Sequence, residues 1–259
     1  MDLGIRGKKA LVTGASSGLG AAAAMALAAE GVDVTINSRS KQRLEATAAK
    51  IHTATDRTVR CLVGDISVAS DLKSLVQQCG PVDILVSNAG GPPQGLFEDH
   101  PPETWLKAAE LTLYSAINLT RALLPSMVQK RWGRLIYITS VAVLQPVDDL
   151  ILSNTFRAGV TGFCKSISNT YAKHGITANC VCPGYTATER LSELAENRAA
   201  KSGKSAKEIL DGLGQGVPAG RLGKPEELAA MIAFLSSEQA AYITGCSIPV
   251  DGGAHKFLI

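Results

Sequence analysis

One stretch constrains the fold more than any other. Thr13-Gly14-Ala15-Ser16-Ser17-Gly18-Leu19-Gly20 lies between the apolar run Ala10-Leu11-Val12 and the alanine-rich segment 21–29. In order, this reads as a strand, a tight glycine turn and a helix. Glycines at 14, 18 and 20 let the backbone reverse sharply and approach a ligand closely, because no Cβ intervenes. The free N–H groups at the helix start then face an anion, most simply a pyrophosphate. Three glycines in a loop also occur for geometric reasons alone. Position between a first strand and a first helix is the context that marks a dinucleotide site.

The rest of the chain keeps the same alternation. Strands are expected at Val32–Ile36, Thr58–Val63, Val82–Val86, Arg134–Ile138 and Ile176–Val181. Helical patterns cover Lys41–Ile51, Ala69–Cys79, Glu103–Lys130 and Leu150–Lys173. Alternating strands and helices predict an α/β fold: a doubly wound, Rossmann-type parallel sheet of seven strands with helices on both faces. No repeat, low-complexity tract or linker argues for a second domain, so residues 1–259 are read as one dinucleotide-binding and catalytic unit. One region breaks the rhythm. From Thr186 to Gly220 the sequence is polar and charged, with Lys201-Ser202-Gly203-Lys204-Ser205 at its middle. It forms either a lid over an active site or a surface insertion, and its place after the last cofactor-side strand favours the lid.

Composition excludes several classes. A 46% hydrophobic, 19% charged chain supplies a core with two buried faces. The net charge of +3, evenly spread, gives no nucleic-acid surface. No apolar run reaches the roughly 18 residues needed to span a membrane. The start, Met1 to Lys9, has no apolar signal core, which makes a cytoplasmic location the default. The six cysteines (61, 79, 164, 180, 182 and 246) have no partners at metal-ligand spacing and read as buried reduced thiols. The histidines (52, 100, 174 and 255) are placed at the surface or at helix ends.

Open parallel sheets bind ligands beyond the carboxyl ends of their strands, where strand order reverses. The second strand ends in Asn37-Ser38-Arg39-Ser40, with no acid to hold a ribose 2′-hydroxyl. Ser38 and Arg39 suit a 2′-phosphate instead, which favours NADP(H) over NAD(H). The alternative for Arg39 is an ordinary surface arginine at a helix start.

The G-x-x-x-G-x-G spacing after Thr13 resembles that of short-chain dehydrogenases/reductases, and further motifs occur in the same order. Gly64-Asp65-Ile66 resembles the family segment beside the adenine, and Ser87-Asn88-Ala89-Gly90 resembles its Asn-Asn-Ala-Gly signature. Pro183-Gly184-Tyr185-Thr186-Ala187-Thr188 resembles the Pro-Gly turn near the nicotinamide. Pro218 to Gly223, Pro225-Glu226-Glu227, Thr244-Gly245 and Val250-Asp251-Gly252-Gly253 extend the likeness to nearly the whole chain. The resemblance implies a cofactor site of Gly14, Ser16, Ser17, Gly18, Leu19, Ser38, Arg39, Asp65, Ile66, Asn88, Ala89, Gly90, Arg157, Pro183, Gly184, Thr186 and Thr188.

The catalytic positions depart from that pattern. The family mechanism uses a tyrosine as proton donor, a lysine four residues later, a serine thirteen residues before the tyrosine, and a helical asparagine. Here Ser140 supplies the serine, but Ser153 stands for the tyrosine, Arg157 for the lysine and Thr112 for the asparagine. Arg157-Ala158-Gly159-Val160-Thr161-Gly162 matches the family segment that begins at the lysine, so the register holds. The run Ser153-Asn154-Thr155-Phe156-Arg157-Ala158-Gly159 resembles the 3-oxoacyl-carrier-protein reductase-like branch. Arg157 can hold a positive charge by the ribose but cannot shed a proton. Ser153 is too weak an acid to act alone, although it could pass on a proton from water. Tyr185, Asp148 and Asp149 are conceivable donors; a solvated Asp pair and an apolar Tyr185 lid are the alternatives. Three readings remain open: an NADP(H)-dependent oxidoreductase for a ketone or secondary alcohol, a nucleotide-binding sensor or partner subunit, and non-redox chemistry on the same scaffold.

The helices at 103–130 and 150–173 resemble those that pair between family subunits, implying a homotetramer. The tail Phe257-Leu258-Ile259 either covers a neighbour or folds on its own subunit. Arg121, Lys130, Arg131 and Arg134 either form a basic entrance or are solvated helix-end charges.

Overall fold

The computed structural model describes residues 2–258; Met1 and Ile259, the last residue of the apolar tail, lie outside the described residues. Seven strands form one parallel sheet: β1 (Lys9–Val12), β2 (Asp33–Ser38), β3 (Arg60–Val63), β4 (Ile84–Ser87), β5 (Gly133–Ile138), β6 (Ile176–Pro183) and β7 (Ser247–Val250). Their order is β3-β2-β1-β4-β5-β6-β7. Strand order therefore reverses between β1 and β4, where Val12 pairs with Val86.

Period-two alternation sends successive strand residues to opposite faces, and both faces are buried. On one face Ala10, Val12, Ile84 and Val86 pack under α1 (Gly18–Ala29), α2 (Lys41–Thr55) and α9 (Pro225–Leu235). On the other, Leu11, Leu85, Leu135 and Tyr137 pack under α3 (Ala69–Cys79), α5 (Ser115–Lys130) and α6 (Ile151–Tyr171). Among the described residues no helix is long and apolar enough to cross a membrane.

The helical stretch expected over 103–130 has internal structure. α4 (Pro102–Ala109) starts on a proline, which suits a first helical position, and passes through a π-helical turn at Glu110–Tyr114 into α5. The wide turn carries Thr112. The polar region after β6 folds as two helices, α7 (Glu189–Ser202) and α8 (Ala206–Gln215), each begun by a serine or threonine cap: Thr188 accepts from Leu191 N–H and Ser205 from Glu208 N–H.

Three expectations are corrected. Arg134 is not a solvated charge: it is 2% exposed, and its Nε donates to the Ser237 carbonyl at 3.1 Å. Its Nη1 donates to the Gly133 and Gly175 carbonyls, and it stacks on Trp132. Lys130 pairs with Asp83 at 2.7 Å. These groups sit at the amino ends of the strands, so Lys130 and Arg134 build no basic entrance at the carboxyl ends. The cysteines divide: Cys164, Cys180 and Cys182 are buried, Cys61 and Cys79 half-buried, and Cys246 exposed. His100 stands at a helix end, following the turn Phe97–Asp99, but is buried, and its Nε2 has no partner among the described residues.

Arg134→Ala strips three backbone carbonyls of a charged donor in a buried position. It is expected to lower stability by about 2–4 kcal/mol, read as a fall in the urea midpoint, with dinucleotide affinity unchanged.

Candidate active site

At the switch point the turn after β1 is stitched to the end of β4. Thr13 Oγ1 donates to the Asn88 carbonyl (2.8 Å) and accepts from the Asn88 N–H (3.0 Å). Asn88 Nδ2 in turn donates to the Gly14 carbonyl at 3.1 Å. Gly14 has φ +58°, and a Cβ there would lie 2.7 Å from Asn88 Nδ2. At Gly20 a Cβ would lie 2.3 Å from the Gly14 carbonyl oxygen, so α1 can approach the turn only with glycine at that position. Ser17 is the residue before α1, yet its side chain makes no capping bond. Its hydroxyl and the first N–H groups of the helix are left for an anion. The Ser16 carbonyl is held by Thr47 Oγ1 at 3.0 Å, and Leu19 packs partly buried against the core.

The neighbouring strand ends add the flanks. Asn37 Nδ2 bridges the Leu62 and Gly64 carbonyls, tying β2 to the segment after β3. Arg39 has a 79% exposed side chain, 3.9 Å from Asp65 Oδ2. Ser38 Oγ accepts from the Ser40 N–H. Asp65 Oδ1 is engaged by Ser67, and Ile66 is buried. Past β4, Ala89 is half-buried and Gly90 exposed. Thr186 is buried with its hydroxyl on the Gly184 carbonyl, and Thr188 spends its hydroxyl capping α7. These two threonines first secure the chain between β6 and α7, a use their spacing does not reveal.

The four catalytic candidates are partly gathered. α6 places Ser153 and Arg157 one turn apart, and Arg157 Nε donates to Ser153 Oγ at 3.2 Å. The Arg157 guanidinium is turned inward: Nη1 donates to the Ile138 carbonyl (2.8 Å) and the Thr139 carbonyl (2.9 Å). This corrects the expectation of a ribose fork, because the side chain is 9% exposed and grips the end of β5. Burial, with Arg190 nearby, pulls it down to about 10, which leaves it charged at neutral pH. Arg157 and Thr112 share a cavity of about 10 Å³, room for about one water, and Thr112 Oγ1 has no partner there among the described residues. Ser140 follows the gripped Thr139; its Oγ accepts the Ala142 N–H at 3.1 Å, leaving its own proton free to donate.

Sequence reasoning missed the charged contacts of the lid and tail. Arg198 of α7 forks onto Asp149 through Nε (3.3 Å) and Nη2 (3.1 Å), so Asp149 is not part of a solvated pair. Arg190 lies against Gly91 and donates to the Pro92 carbonyl at 2.7 Å, while Glu189 pairs with Arg43 of α2. The tail folds on its own chain through Lys256, whose N–H meets Gln145 Oε1 at 3.3 Å. Phe257 and Leu258 stay exposed. Asp251 Oδ2 accepts both the His255 N–H (2.9 Å) and His255 Nδ1 (2.7 Å). The Asp-x-x-x-His spacing was the available signal for that pair.

A glycine cradle at the switch point of a parallel sheet, with a serine at the end of β5 beside it, defines a class of nucleotide-dependent oxidoreductases. The chain belongs to the short-chain dehydrogenase/reductase superfamily: the family described as Enoyl-(Acyl carrier protein) reductase matches residues 14–255. It is 35% identical over 251 residues to the 3-oxoacyl-[acyl-carrier-protein] reductase of Haemophilus influenzae, covering 97% of this chain and 99% of the relative. It is 36% identical over 261 residues to the D-beta-hydroxybutyrate dehydrogenase of Cupriavidus necator, covering 96% and 98%. The L-sorbose reductase of Gluconobacter frateurii, solved with NADPH and L-sorbose, superposes with a TM-score of 0.94 at 32% identity over 100% of both chains. The protein is an oxidoreductase of this superfamily.

Gly20→Ala drives a methyl into the Gly14 carbonyl. Dinucleotide affinity is expected to fall at least ~10-fold by fluorescence titration, with circular dichroism unchanged.

Proposed function

We propose that the protein reduces ketones, and oxidises the matching secondary alcohols, with NADP(H) as hydride carrier. The observation that carries this reading is the uncapped amino end of α1 in its glycine cradle, flanked by Ser38 and Arg39 rather than an acid at the end of β2. The residues present fit the cofactor. The cradle would hold the pyrophosphate, Arg39 the 2′-phosphate, and Asp65 with Ile66 the adenine side. Asn88, Ala89, Gly90, Pro183 and Gly184 would leave a close passage for the nicotinamide half. When bound, the nicotinamide supplies or takes up the hydride.

The chain's own groups prepare the carbonyl. Ser140 donates a hydrogen bond through its hydroxyl to the substrate oxygen, polarising the carbonyl where negative charge develops. Arg157 fixes the carbonyls of Ile138 and Thr139 and so sets the direction of the Ser140 side chain. Ser153 accepts the Arg157 Nε–H and keeps the guanidinium in that pose. Residues 186–220 close over the substrate, their α7 helix latched by the Arg198–Asp149 and Arg43–Glu189 pairs. The relatives named for 3-oxoacyl and sugar ketones support a small-molecule carbonyl substrate, with the 3-oxoacyl type as first choice. A homotetramer accords with the exposed Phe97, Leu106 and Tyr114 around α4 and with exposed Tyr242.

The test combines binding and turnover. NADPH is expected to bind more tightly than NADH, and Arg39→Asp to reverse that order. With ethyl acetoacetate as a 3-oxoacyl probe, Ser140→Ala is expected to lower kcat about 10²-fold and leave the NADPH Kd unchanged. Equal affinity for both nucleotides, or an unaffected Ser140→Ala enzyme, contradicts the assignment.

A further inference from the structure

The superfamily's tyrosine position is Ser153, so the proton for the reduced carbonyl needs another source. The groups near the end of β5 exclude themselves in turn. Tyr137 is 1% exposed, its hydroxyl is paired with Thr120, and burial pushes it far above the usual phenol range. Both Asp149 oxygens accept from the Arg198 guanidinium. Ser153 Oγ accepts the Arg157 Nε–H and keeps its own proton, but an alcohol is too weak an acid to supply the product proton unaided.

A further acid–base group lies in the segment that follows β7. The strand β7 ends at Val250, paired with Pro183 of β6, and the chain then doubles back through Asp251 to Lys256. Three contacts place this hook among the segments that surround a bound carbonyl. Asp251 packs so closely on Gly184 that a Cβ there would lie 2.6 Å from the Asp251 Cβ. Lys256 N–H reaches Gln145, five residues beyond Ser140. Gly252 lies against Val217 at the far end of the lid segment. The His255 ring is fixed within the hook by its Nδ1 bond to Asp251, whose side chain is 5% exposed. Burial raises the Asp251 carboxyl, but the His255 and Gly253 bonds outweigh it and hold the group below its usual value. An ionised carboxylate only accepts hydrogen bonds, so Nδ1 carries its proton towards Asp251 and Nε2 is the nitrogen left to exchange. The side chain is 16% exposed, enough for proton exchange with solvent.

We propose that His255, oriented by Asp251, is the general acid of the reduction and the general base of the reverse reaction. The inference rests on the ketoreductase reading given above. As the hydride and its electron pair arrive at the carbonyl carbon, the C=O π bond opens onto oxygen. The Nε2–H bond of the imidazolium breaks and its proton forms the product O–H. His255 is left neutral and is reprotonated from water. In alcohol oxidation the same steps run backwards.

Two measurements test this together. In the first, His255→Gln keeps the bulk and the polar end without a transferable proton, and kcat for ethyl acetoacetate is expected to fall at least ~10²-fold with the NADPH Kd within twofold. Asp251→Asn, which releases the ring tautomer, is expected to lower kcat in the same direction. In the second, wild-type protein is labelled with diethyl pyrocarbonate and mapped by mass spectrometry. NADP⁺ with ethyl acetoacetate, a pair that cannot react, is expected to protect His255 but not His52. A His255→Gln enzyme within threefold of wild type, or His255 labelling that ignores the ligands, overturns the inference while the ketoreductase reading stands. Wild-type protein that binds no NADPH overturns both.

Discussion

The grip of Asn88 on the first turn is the contact on which the rest of the site depends. Thr13 and Asn88 exchange hydrogen bonds across the gap between β1 and β4, and Asn88 Nδ2 holds the Gly14 carbonyl. That fixes a turn in which two glycines are sterically compelled, one by its positive φ and one by the carbonyl it faces. The amino end of α1 is thereby aimed, uncapped, over the point where strand order reverses. Helix termini favour anions only where the N–H groups are free and the approach is open. Both conditions hold here. Because α1 packs on α9 through small side chains, the cradle is anchored in the larger buried core.

The catalytic end shows how one substitution redistributes charge. A lysine at position 157 would carry a flexible ammonium; the arginine is a rigid fork, and its donors match backbone carbonyls at the end of β5. It becomes a clamp for the strand that carries Ser140. The positive charge nearest Gly91 then comes from Arg190 at the start of the lid helix, a different element. In the mechanism proposed above the catalytic chemistry is divided: Ser140 polarises the carbonyl at the end of β5, while a cation and the acid come from α7 and the tail.

The features legible in the sequence obey physical rules of short range. A glycine turn between a strand and a helix declares itself, and so do strands buried on both sides, because their apolar runs need no partner to be recognised. Sheet architecture and the first turn came from those rules, and the positions of Ser140, Asn88 and Gly184 from the motif resemblance. Direction of side chains across the fold did not. Arg157 reads the same whether its fork points to a ribose or to the Thr139 carbonyl, since both lie one helix face away. Arg134 reads as a strand-start charge, and only the approach of Ser237 from a segment 103 residues away explains its burial. His255 lies in a tail whose backbone has no regular pattern, and its partner Asp251 takes its place from the pairing of β7 with β6. The π-helical turn at Thr112 is equally silent, as it widens a helix without changing its apolar period.

A chain with Ser153 and Arg157 in place of tyrosine and lysine is expected still to transfer hydride. Incubation of the purified protein with [4,4-²H₂]NADPH and ethyl acetoacetate, with mass spectrometry of the hydroxy ester, tests it most directly. The account predicts one deuterium at the carbinol carbon, formed in proportion to NADPH consumed. Saturating NADPH binding with no deuterated alcohol across that ester, longer 3-oxoacyl thioesters and ketoses would contradict it and leave a nucleotide-binding protein without hydride transfer.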